Sequence, residues 1–272
     1  MLLLCLPDLK VKNINHPTPS NMTFKIKLGL TLFALGMLGV LSMLTVTIPL
    51  DTLPKEVLEK ISPETLRFLV LVNPTFLLLI AVVIGTVLHD KVNLSVPSIS
   101  AILKNEKSQV PFPEQAKYGI IYGLVAGILI SIVGRIFRSS LPQEFIELGE
   151  KIKITILARF TYGGITEELL MRYGFMTLIV WIIYKITKKL NSSTYWTGII
   201  LAAALFALGH LPVAFSAVSN PSVSLLSYIL IGNSVAGIFF GWLYWKKGLE
   251  AAFIGHIFAH VAMLAGEQLF QI

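Results

Sequence analysis

Seven stretches of this chain are long and apolar enough to cross a bilayer, and that property limits the fold more than any motif does. A membrane-spanning helix needs about 20 largely apolar residues. Candidates run over residues 28–50, 66–88, 118–138, 152–186, 196–218, 224–245 and 249–270. Hydrocarbon offers a backbone no hydrogen-bond partner, so each such span must satisfy its own peptide groups as a helix. The expected fold is all-α, a polytopic α-helical membrane protein with seven to eight transmembrane helices. The eighth depends on 152–186, which is too long for one simple span. Gly163-Gly164 is a natural break within it, with Thr166 as the cap of a second helix and Glu167 and Glu168 in that helix's first turn.

Composition supports the assignment. The chain of 272 residues is 55% hydrophobic and only 14% charged, with a mean hydropathy of +0.77. A soluble domain needs far more charge on its surface. The net charge of +7 therefore points to basic loops beside lipid and not to nucleic acid. Lysines gather at 25 and 27, at 91, 104, 107 and 117, at 185, 188 and 189, and at 246 and 247. By the positive-inside rule these segments are cytoplasmic, which gives a multi-pass protein of the cell membrane with a cytoplasmic N-terminus. Cys5 is the one cysteine, so no internal disulfide and no cysteine metal cluster forms. The opening MLLLCLPDLK is too short an apolar run for a signal peptide.

Three regions are expected: an N-terminal tail over 1–27, peripheral spans and a polar connector over 28–117, and a functional core over 118–272. The spacings Gly123/Gly127 and Gly237/Gly241 allow membrane helices to approach closely, and close packing within one subunit explains them. The run FFGWLYWKK, residues 239–247, reads as an interfacial anchor.

Charge inside an apolar span is the sharper clue. Residues 163–175 read GGITEELLMRYGF, and a charged side chain at the centre of a membrane helix costs about 2.5–3.5 kcal/mol on insertion scales. Glu168 and Arg172, four apart, share a helix face and form an ion pair that organises the segment. Glu167 is turned about 100° away and is free to do chemistry. Arg159, in the same segment, either neutralises a glutamate or snorkels at the interface. Three histidines lie in later spans: His210 in LFALGH, and His256 and His260, one turn apart, in GHIFAH. A buried carboxylate can take a proton from water, one histidine can orient that water, and others can donate to an oxyanion. The same four side chains, Glu167, His210, His256 and His260, also suit a metal such as zinc. The HExxH pattern of soluble zinc proteases is absent, since Ile257 follows His256.

Taken in order, Glu167-Glu168-x-x-x-Arg172, Phe206-x-x-x-His210 and His256-x-x-x-His260 resemble the motifs of the CPBP family, the CAAX-protease and bacteriocin-processing intramembrane proteases also called Abi proteins. The stretch GIFFGWLYWKKGLEAAFIGHIFAH resembles the family's approach to its last motif, and the likeness covers about residues 118–272. The resemblance implies a membrane endopeptidase acting on a peptide or membrane-associated protein, with Glu167 and His210 activating the attacking water and His256 with His260 stabilising the oxyanion. It does not require a metal. Position 260, often asparagine in the family, is histidine here, which makes metal binding more credible for this chain. Two other classes compete: a non-enzymatic immunity or scaffold protein that keeps the fold, and a transporter using the glutamates and histidines as a proton relay. The absence of a repeated half argues against the transporter.

Overall fold

The computed structural model describes residues 19–47 and 60–270; Cys5 and most of the expected N-terminal tail lie outside them. Its elements are α1 (Pro19–Ser42), α2 (Pro63–Leu69), α3 (Val72–Leu88), α4 (Pro97–Lys104), α5 (Phe112–Phe137), α6 (Gln143–Lys151), α7 (Ile156–Thr187), α8 (Ser192–Gly209), α9 (Leu211–Ala217), α10 (Val223–Lys247) and α11 (Leu249–Phe270). Among the described residues no strand forms, and seven helical segments are long and apolar enough to cross a membrane. The fold is that of a polytopic all-α membrane protein. Helix starts follow local chemistry: Ser62, Thr155, Asn191 and Ser222 each accept a backbone N–H from the first turn of α2, α7, α8 and α10.

The eighth span does not form. α7 runs unbroken through Gly163-Gly164, wound as π-helix over Arg159–Glu167 and again over Leu169–Met176. Thr166 caps nothing; its hydroxyl donates to the Gly36 carbonyl of α1 at 2.7 Å. The two glycines serve close approach instead of a break. A Cβ on Gly163 would lie 2.6 Å from His260 Nε2, and one on Gly164 would run into the Ile257 side chain, so α11 sits directly against this face.

Small residues set the other contacts too. Gly123 and Gly127 of α5 lie against the carbonyls of Gly255 and Ala259, and Gly237 of α10 lies against Ala203. Both glycine pairs are thus used inside the subunit, as the sequence suggested. The first two spans pack on the core directly: Gly39 of α1 meets Thr161 and Thr166, Gly85 of α3 meets the Tyr173 ring, and Gly174 of α7 meets Ala81. Leu30, Val83, Ile136 and Ile200 remain exposed on the outer faces, where lipid replaces water.

α10 ends at Gly248, whose φ of +96° and contact with the Pro97 ring leave no room for a side chain. Leu249 N–H then donates to the Ser95 carbonyl at 3.0 Å, tying the start of α11 to the 89–111 connector. Lys25 pairs with Asp90 at 2.8 Å, and Lys247 pairs with Glu114 at 2.6 Å while lying over the Tyr118 ring.

The Gly123 contact is made to backbone, which cannot swing aside. Gly123→Val should therefore lower stability by about 1–3 kcal/mol, whereas Gly149→Ala, with nothing within 4 Å of the new atom, should leave it unchanged or raised. Thermal melting in detergent checks this, and equal melting temperatures for the two variants would refute the packing argument.

Candidate active site

Arg172 is the largest fully buried side chain, and every feature of the site is arranged around it. Its Nε lies 3.1 Å from Glu168 Oε2, with both side chains 0% exposed. The contact is an ion pair, not an aligned hydrogen bond, and Nη1 has no partner among the described residues. Nη2 donates to the Gly237 carbonyl of α10 at 3.3 Å. The rings of Phe206 and Phe240 flank the guanidinium, with centroids 5.0 and 5.5 Å away. A cation held between aromatic faces gains from the ring quadrupoles where water is absent.

Glu168 passes this order on to a histidine. Its Oε1 lies 2.8 Å from His256 Nδ1. An ionised carboxylate only accepts, so Nδ1 carries the proton and Nε2 presents a lone pair. That Nε2 stands 3.9 Å from Glu167 Oε2. Between them, Glu168 and Arg172 fix the tautomer and the direction of a histidine that faces Glu167. Glu168 and Arg172 pair with each other, and Glu167 points elsewhere, toward His256.

His260, one turn further along α11, stacks on His256 with centroids 4.9 Å apart and planes 18° from parallel. Its Nδ1 is buried without a hydrogen-bond partner in the described structure. Phe240 covers the other face of His256 at 4.5 Å. His210 sits at the joint between α8 and α9, where Pro212 starts the short second helix. Its Nδ1–H donates to the Phe206 carbonyl at 2.8 Å, and its ring meets the Phe206 ring edge-on. This bond again leaves Nε2 as an acceptor. Phe206 also meets the His256 ring edge-on at 6.2 Å, so it links the two histidines.

The imidazoles of His210 and His256 thus carry the protonation a metal ligand needs. However, among the described residues no three histidine, cysteine, aspartate or glutamate side chains converge as a metal-binding group. The arrangement as it stands does not supply a closed donor set for zinc.

Two expectations change. Phe240, within the run read as an interfacial anchor, is fully buried and forms a wall of the site; Tyr244 of the same run is also buried, its hydroxyl 3.0 Å from that of Thr177. Only the basic end, with Lys246 over Trp245 and Lys247 on Glu114, fits the anchor description. Arg159 does neutralise a glutamate, but the partner is Glu267 of α11, at 2.9 Å. Gly237 and Phe240 were not singled out as site residues. Their spacing of three places a carbonyl and a ring on one face of α10, a signal that acquires meaning only once Arg172 is known to lie opposite.

Residues 150–262 match the family model described as type II CAAX prenyl endopeptidase Rce1-like. This region is similar to that family, which lies within the CPBP group, and it holds every site residue named above except Glu267. No curated protein and no solved structure matches the chain. The family supports a CAAX-type, membrane-embedded endopeptidase in general.

Removing one member of a buried ion pair strands the other, at a cost of about 3–5 kcal/mol. Arg172→Ala should therefore lose folded protein, and Arg172→Lys should not restore it, since a single ammonium cannot serve Glu168, the Gly237 carbonyl and two ring faces at once. Size-exclusion profiles and melting temperatures in detergent test this; a lysine variant as stable as the parent would contradict it.

Proposed function

We propose that this chain is an intramembrane endopeptidase that cleaves a peptide or membrane-attached protein substrate with a water activated by Glu167. The observation that carries the proposal is the pair Glu167 Oε2 and His256 Nε2, 3.9 Å apart, on facing membrane-spanning helices. Two acceptors at that spacing suit a water that donates one hydrogen to each. His210, its Nε2 also an acceptor, takes the second of these hydrogens in place of His256 as the water turns to attack.

Attack of this water on the scissile carbonyl sends one proton to Glu167 and leaves negative charge on the carbonyl oxygen. His260, whose Nδ1 has no other hydrogen-bond partner, donates to that oxygen. His256 joins it once the proton has passed from Glu167 to Nε2, because only the imidazolium can donate on that side. The proton then goes to the leaving amine as the C–N bond breaks, and both groups return to their starting states. Glu168 and Arg172 touch no reacting atom; they hold His256 in place. The substrate class suggested by the family is a CAAX-type C-terminus, and processing of other small peptides is the second use of the same chemistry.

Glu167→Gln should lower cleavage of a prenylated CAAX peptide by about 10²–10⁴-fold while leaving the melting temperature near that of the parent. Purified protein in detergent, assayed with and without chelator and then with added zinc, separates the two forms of the mechanism. Loss on chelation with recovery on zinc would assign the four-residue set to a metal; indifference would assign it to water activated by carboxylate alone. Undiminished cleavage by Glu167→Gln would remove the glutamate from the mechanism altogether.

A further inference from the structure

Helices α7 and α11 face each other as an antiparallel ladder. Glu167 stands opposite His256. One turn away on α7, Gly163 lies against the His260 ring. One turn beyond that, Arg159 meets Glu267, with Nη1 to Oε1 at 2.9 Å and Nη2 to Oε2 at 3.4 Å. The three rungs share one face on each helix, since 159, 163 and 167 are four apart on α7 and 260 and 267 are two turns apart on α11. Gly163 leaves the middle rung without a side chain on the α7 side, and the His260 ring fills that space, so the imidazole stands between the reactive rung and the charged one.

Resting on the peptidase reading, the geometry points to Arg159 as the subsite for the substrate's C-terminal carboxylate, with Glu267 occupying it until the peptide arrives. Spacing supports the assignment. Seven residues of α-helix, His260 to Glu267, rise about 10.5 Å. Three residues of extended peptide span about 10–11 Å. A peptide whose scissile carbonyl lies at His260, and whose chain ends three residues later, reaches Arg159 with its carboxylate.

Arg159 is equipped for the exchange. Its guanidinium already holds a carboxylate in a two-point grip, the geometry in which arginine recognises that group. Its Nε is buried with no hydrogen-bond partner in the described structure, so a donor remains unused while Glu267 is bound. Glu267 is the more exposed partner, with 39% of its side chain accessible against 19% for Arg159, and can turn outward when displaced. No bond is made or broken: one carboxylate replaces another on the same cation, and the site stays neutral.

The test uses two fluorescent peptides ending in a prenylated cysteine and three aliphatic residues, one with a free carboxylate and one amidated. Binding to the full-length protein in detergent is measured by anisotropy, with cleavage followed in parallel. The free acid should bind at least about tenfold more tightly, as expected for a charge-assisted pair over a neutral contact. Arg159→Gln should abolish the difference by weakening the free acid alone, and Glu267→Gln should tighten the free acid by removing its competitor. Arg159→Lys, which keeps the charge, covers the case in which the glutamine variant fails to fold, and it should retain part of the preference. Equal affinity for the two peptides, including no binding of either, overturns the subsite, as does an Arg159→Gln variant that weakens both alike. A preference for the free acid without cleavage would sink the peptidase reading and leave the subsite standing.

Discussion

A guanidinium with no exposed surface, deep in a membrane bundle, is the constraint on which the rest of this structure depends. Lipid cannot solvate Arg172, so the protein must, and it recruits parts from two helices besides its own to do so. Glu168 supplies the counter-charge, Gly237 a carbonyl, and Phe206 and Phe240 two ring faces. Those groups lie on α7, α10, α8 and α10 again. The pair is a weak source of net stability, because the desolvation of both ions offsets most of their attraction. Its effect is geometric. Helices that must all reach one cation can be assembled in few ways, and the carboxylate that balances it becomes a fixed point from which His256 is aimed.

The helices can come close enough for this only because small residues line the contacts. Gly36 and Gly39 on α1, Gly85 on α3, Gly123 and Gly127 on α5, Gly163, Gly164 and Gly174 on α7, and Gly237 on α10 all sit where a further carbon would strike a neighbour. Between helices in lipid there is no hydrophobic driving force, so packing and interhelical hydrogen bonds carry the association. The Thr166 hydroxyl on the Gly36 carbonyl and the Tyr173 hydroxyl on Thr86 are such bonds, and they bind the first two spans to α7. The π-wound stretch belongs to the same design. π-helical turns often occur at functional sites, and here the winding spans the segment that bears Arg159, Gly163 and Glu167 on one face.

Much of this was legible in the sequence, for reasons that also explain what was not. Seven apolar stretches gave seven spans, because the need to satisfy backbone groups in lipid is nearly independent of tertiary detail. The Glu168–Arg172 pair followed from a spacing of four. The aim of His256 did not: nothing in a one-dimensional pattern says that its Nδ1 lies against Glu168 and its Nε2 toward Glu167. Gly163-Gly164 misled, since a glycine pair breaks an isolated helix but admits a neighbour in a packed one, and only the position of α11 decides between the two. Phe240 misled likewise, being one aromatic among several beside two lysines. A pattern rule for interfaces could not separate the ring that faces Arg172 from those that stack near Trp245.

The ladder between α7 and α11 shows how these constraints join. Every acidic or basic side chain that α7 carries between its start and Arg172 faces a partner on α11 or on α7 itself: Arg159 faces Glu267, Glu167 faces His256, and Glu168 faces both Arg172 and His256. Charge is therefore confined to one interhelical seam while the outer surface stays apolar. Two of the pairs, Arg159–Glu267 and Glu168–Arg172, cancel in charge, which lowers the cost of carrying four charged groups on one membrane span. Confinement also puts a carboxylate, two stacked imidazoles and an arginine in line along a single interhelical seam. The arrangement that lets the helix exist in lipid is thus the same one that gives it a surface on which a polar substrate backbone can be held.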